Sequence, residues 1–377
     1  LWQIQPVRDV RGGLAIVGAA QLTSEVSGLA GRTEWRIADG GTMRAFFFNG
    51  GFTDYQLDDT LTIDPGGVLA GNGVSIGFDV INHGTIVSES AAVRFLRSYS
   101  GIGDLVLDGG RFEFSHTVPL TERVTIQGSG GVDILVDTER GFTVDDANLY
   151  VSDVVVGDDI IIRGDSVITR SITASATLRV LDGATLLLSN FSTLVGDSEN
   201  ARLVIEPGGL VEFGRSGNME FAWEIDNRGS IEIDGASVLF DRPGPLVLQP
   251  ESTILGDGTI RTPIGQLIQF NGTLGPLDST MTLQTPLAIA TETSRMIFTA
   301  APGGITGNLE ITGAFQPGGT IELVPAPGWE YDGTGQVRVV EATGTTSSLG
   351  DYFRNALPEP GSDTACAVRT GALIFAL

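Results

Sequence analysis

The phrase "LTIDPGGVLAGNG" at residues 61–73 returns almost unchanged as "LVIEPGGLVEFG" at 203–214. Each copy is a short aliphatic run, an acid, Pro-Gly-Gly and a second aliphatic run. Proline presets φ at the second position of a turn, and glycine takes the positive φ that the third position of a type II turn demands. The unit therefore reads strand, corner, strand. Variants stand at 105–114 ("LVLDGGRFEF"), 179–188 ("RVLDGATLLL"), 231–240 ("IEIDGASVLF") and 313–323 ("GAFQPGGTIEL"). A second phrase follows both copies, "INHGTIV" at 81–87 and "DNRGSIEI" at 226–233. Asn tolerates left-handed backbone and Gly favours it, so Asn-x-Gly is another corner.

Corners that recur without helical periodicity define a stack of coils. The fold class expected is all-β: a parallel β-helix (β-solenoid) with a β-rich C-terminal element. Landmark strands at Val124, Leu149, Arg179, Leu203 and Ile231 imply a coil of about 25 residues. Two β-sandwiches are the competing architecture, since turn signals recur every 8–12 residues or so. Three features favour the solenoid. Runs such as "DVVVGDDIIIRG" are continuous rather than alternating. Glycine crowds the corners. Asn82, Asn148, Asn190 and Asn227 are placed for ladders from coil to coil. The expected divisions are an N-terminal cap at 1–55, the solenoid at 56–304 and a C-terminal β element at 305–377.

Composition narrows the partners. The 46 Asp and Glu outweigh 22 basic residues, all Arg, for a formal charge of −24. Such a surface repels phosphate backbones and anionic lipid, so nucleic acid is excluded as an expected partner. The absence of Lys removes Schiff-base chemistry, a P-loop and lysine isopeptide cross-links. The single cysteine, Cys366, permits no internal disulfide. His83 and His116 stand in no catalytic motif and read as turn or surface residues. No run reaches the roughly 18 apolar residues of a membrane helix. An outer-membrane barrel would want aromatic girdles, and the chain has 4 Trp and 5 Tyr. The opening "LWQIQPVRDV", without Met, reads as the start of a processed product.

Residues 119–159, "PLTERVTIQGSGGVDILVDTERGFTVDDANLYVSDVVVGDD", resemble the pectate-lyase type of right-handed parallel β-helix, in which a "vTIxGxG" strand leads to an "LxVSxVxV" pair. "GGVLAGNGVSIGFDVINHGTIV" and "ILGDGTI" are similar to the repeats of autotransporter passengers and other secreted bacterial β-helix proteins. "VRVVEATGTTSSLGDYFRNALPEPG" with "GALIFAL" resembles their closing strands; no translocator barrel is in the sequence. The resemblance implies the fold and an extracellular or cell-surface location. It does not imply one function.

The function expected first is a secreted or cell-surface structural or adhesive protein, not an enzyme, whose subunits associate end to end without covalent links. The apolar Leu1, Trp2 and Ile4 of one subunit would meet Ala372, Leu373, Ile374, Phe375 and Leu377 of the next. The alternative is a polysaccharide lyase or glycoside hydrolase of the parallel β-helix type. A Ca²⁺- or glycan-binding module is the third reading, with surface glycans as its partners. Asp153, Asp158 and Asp159 lie in the densest acidic stretch and are the candidate ligands if Ca²⁺ binds; no cofactor is otherwise expected. "GDD" at 157–159 is superficially similar to the paired Asp of polygalacturonase-like chains, but neither Gly-His-Gly nor Arg-x-Lys accompanies it. Arg163 is the one base candidate nearby. Catalytic residues are therefore assigned to none.

Overall fold

The computed structural model describes residues 2–4, 14–16, 19–22, 34–46, 60–114, 124–134, 142–151, 154–156, 159–169, 172–174, 177–189, 194–195, 201–214, 218–242, 244–301, 304–316, 318–325, 336–342, 365–369 and 372–376. Among them there is no helix, and parallel strands stack as a β-solenoid of about eight turns. The chain divides into two compact units. The first holds Leu1–Arg179, Ala184–Leu186 and Val195–Ala201; the second holds Val180–Gly183, Leu187–Leu194 and Arg202–Leu377.

In the first unit the repeated phrase forms two strands that belong to two different ladders. Thr60–Ile63 lies between Glu34–Ile37 and Asp79–Asn82. Val68–Asn72, past the corner, lies between Thr42–Phe46 and Thr85–Glu89. The Gly67 N–H donates to the Asp64 carbonyl at 2.8 Å, and Gly66 has φ of 79°. That is the type II turn expected from Asp-Pro-Gly-Gly. In the second unit Gly209 donates to Glu206 at 2.9 Å, and Gly208 has φ of 83°.

Within a strand every second residue faces inward, as the period of a pleated strand requires. Leu61 and Ile63 are buried between the half-exposed Thr60 and Thr62. Even the continuous run "IIIR" buries only Ile160 and Ile162 fully. The inward positions stack coil on coil, and in the first unit Phe95 lies over Phe114 with ring centroids 4.8 Å apart while Tyr99 meets Phe95 edge-on at 5.1 Å. Each such side chain, removed from water, contributes about 1.5–3 kcal/mol.

The coils vary in length on both sides of the 25 residues that the sequence suggests: Trp35 pairs with Leu61 and Arg295 with Thr320, steps of 26 and 25. Leu105 pairs with Ile126 and Ile126 with Val144, steps of 21 and 18 residues. In the second unit Leu203 pairs with Ile225, a step of 22. The landmark strands also occupy different positions. Leu203 stacks on Ile225, whereas Ile231 stacks on Val211. One coil carries more than one strand of the same composition, so similar phrases are not equivalent positions.

Parallel pairing gives way to antiparallel in a few places of the second unit. Arg295–Ala301 turns back on Gly304–Ile305. Ala372–Ala376 lies between Gln336–Ala342 and Ala365–Arg369, antiparallel to both.

Candidate functional site

The corners consume most of the buried polar chemistry. Asn82 Oδ1 accepts the Gly84 N–H at 3.1 Å, and its Nδ2 donates to the Tyr99 hydroxyl at 2.9 Å and to the Asp104 carbonyl at 3.4 Å. Asn227 repeats this in the second unit, accepting from Gly229 at 3.0 Å and donating to the Thr253 carbonyl at 3.4 Å. The ladders expected of these two asparagines are thus bonds to the main chain of the next coil. Asn190 lies outside the described residues, as does the side chain of Asn148. Burial pushes the Tyr99 phenol well above its ordinary range; the Asn82 bond opposes that shift and the nearby Asp104 charge adds to it.

The acidic stretch divides differently. Asp153 and Asp158 lie outside the described residues. Asp159 stands 3.8 Å from Arg179, a half-exposed pair. Arg163 is exposed on its strand. Among the described residues no group of three or more His, Cys, Asp or Glu is placed to hold a metal ion. His83 is an exposed corner residue whose N–H donates to the Ile63 carbonyl at 2.8 Å; His116 lies outside the described residues. Of the terminal residues, Leu1 and Leu377 lie outside them too. Trp2 and Ile4 belong to a strand paired with Ala19–Leu22. Ala372, Leu373, Ile374 and Phe375 belong to a strand whose two edges are both bonded within the chain.

A concave feature with convergent polar groups lies in the second unit, where the stack opens. Arg202–Ile205 pairs with Glu224–Asn227, and the next coil should lay Leu246–Leu248 on the latter. The corner of that coil is in place: the Thr253 N–H donates to the Gly229 carbonyl at 3.0 Å. Yet no pairing joins Glu224–Asn227 to Leu246–Leu248, which begins a separate sheet of four strands. The local sequence explains the break. Pro245 stands directly before the strand and has no N–H to give to the preceding coil.

The coils thus meet at the Asn227 corner and separate toward Trp223 and Gly244. Between them is a cleft of about 270 Å³, lined among others by Trp223, Ile225, Phe240, Val247, Gln249 and Gln266. Ile225 and Leu246 are half-exposed here, although Leu203, one coil back from Ile225, is fully buried. Trp223 is 2% exposed, and its indole N–H has no hydrogen-bond partner among the described residues. Glu224 and Arg242 also line the cleft. Glu224 is 3.2 Å from Arg202 and 3.3 Å from Arg242, so two cations share one carboxylate. The sequence analysis did not find this site. Its signal was the proline at 245, directly before a short strand.

Fold and site together define a parallel β-solenoid with one opened coil. No protein-family model matches the chain, and no curated protein matches it.

Proposed function

We propose that the protein is a secreted or cell-surface structural or adhesive β-solenoid of the kind resembled by autotransporter passengers, its subunits stacking non-covalently end to end. The observation that carries this reading is the use made of buried polar side chains. Asn82, Ser88, Asn227, Ser252, Thr285 and Ser294 are buried, and each bonds main-chain groups of its own corner or of a neighbouring coil. Their chemistry goes into holding coils together. Outward carboxylates are matched to arginines across coils, as in Arg36–Asp64 at 2.8 Å, Arg94–Glu113 and Arg295–Glu322. A stack of coils built so is suited to bearing and spacing.

Association must overcome the charge of −24 per subunit, so salt and divalent cations promote it. Sedimentation of the full chain in low and physiological salt, with electron microscopy of the same samples, tests the reading. Filaments or a salt-promoted rise in mass are expected. A monomer in every condition overturns the assembly.

A further inference from the structure

We infer that the opened coil of the second unit is a docking site for an extended peptide, which adds as a strand to the free edge of Leu246–Leu248, seats an apolar side chain in the cleft and sets a neighbouring carboxylate against Arg242 and Arg202. The edge is the first argument. Leu246 donates its N–H to the Leu267 carbonyl at 3.0 Å, and Leu248 accepts from Asn271 at 3.0 Å. In a parallel ladder alternate residues bond to opposite sides. Val247 therefore turns its N–H and C=O toward the cleft, on the edge that no strand of the described residues pairs. An edge of this kind is the template for strand addition.

The lining is the second argument. Ile225, Phe240 and Leu246 offer an apolar wall, while the unbonded indole N–H of Trp223 is a donor already stripped of water. A buried donor left without a partner is costly, and a peptide carbonyl would relieve that cost. Gln249 and Gln266 supply further amide donors and acceptors at the rim. Charge selects the occupant. Arg202 and Arg242 both reach the one carboxylate of Glu224, so each guanidinium has donors left for a second carboxylate, which favours an acid beside the apolar residue. The inference does not depend on assembly, because the cleft lies within one unit of one chain.

The test uses the full chain and a fluorescein-labelled peptide, Thr-Val-Phe-Val-Asp, followed by anisotropy. Saturable binding is expected. Exchanging the peptide's Asp for Asn should weaken it about tenfold. The same exchange should cost little in Arg242→Gln, because the interaction it removes is already gone. N-methylation of the peptide at the residue facing Val247 should also cost about tenfold or more, whereas N-methylation of its neighbour, whose N–H turns away from Leu246–Leu248, should cost less. Trp223→Phe should weaken binding several-fold while leaving the charge dependence intact. Equal affinity for the two methylated peptides overturns strand addition. No saturable signal up to millimolar peptide overturns the inference as a whole, and quenching of Trp223 emission by a neutral oligosaccharide in its place would assign the cleft to sugars.

Discussion

At the scale of single residues, Asn82 and Tyr99 show how a corner is held from inside. The Asn-x-Gly phrase announced Asn82, because a short amide at a corner bonds its own backbone. It could not announce Tyr99, which arrives 17 residues later by stacking and is fully buried. Burial keeps this phenol neutral where the phenols of the unfolded chain ionise, near about pH 10. The stability it contributes is intact below that pH and is lost as the pH climbs toward the higher folded-state value. Thermal melts between neutral pH and pH about 11 should therefore fall more steeply for the natural chain than for Tyr99→Phe. Parallel slopes would show that Tyr99 ionises freely. Asn82→Ala strands the Gly84 N–H and should cost about 1–3 kcal/mol, read from denaturant unfolding.

At the scale of the element, the corner separates two reasons for glycine. Gly40 has φ of 70° with open space where a Cβ would stand. Gly84 has no such φ, but a Cβ there would lie 2.3 Å from the Gly67 carbonyl oxygen and 2.5 Å from that of Asp64. Gly229 repeats the crowding, at 2.3 Å from the Gly209 oxygen. Gly40→Ala should cost about 1–2 kcal/mol, the backbone penalty alone. Gly84→Ala must push two coils apart and should cost more, about 3 kcal/mol or above, with a lower unfolding midpoint at unchanged m-value. Equal losses would mean that coil spacing yields freely. The corners were legible because Pro, Gly and Asn carry their conformations with them. The position of each strand around its coil was not, because strand composition is alike at different positions and only pairing distinguishes them.

At the scale of the whole molecule, electrostatics set two effects against each other. Exposed Arg–carboxylate pairs contribute about 0–1 kcal/mol each and weaken in salt. The charge of −24 opposes compactness and is screened by the same salt. With 46 acids to 22 arginines the repulsion should dominate, so Tm is expected to rise from low to physiological salt; a fall would show that the pairs outweigh it. The overall fold was readable from corners that all say the same thing. The opened coil was not, because it depends on what fails to pair. Pro245 looks like part of one more turn until the strands around it are placed. Trp223 looks like one more core aromatic until its N–H is found without a partner among the described residues.

Each corner hands its successor the surface that it received: Thr85 bonds the Gly67 carbonyl as Ser230 bonds that of Gly209, both at 2.9 Å. Such a grammar has no full stop. Nothing in Pro-Gly-Gly or Asn-x-Gly counts coils, so the pattern itself sets no number of turns. The strand Ala372–Ala376 runs against both of its neighbours. Its direction is opposite to theirs, so within the chain the step of one parallel coil onto the next is not made there.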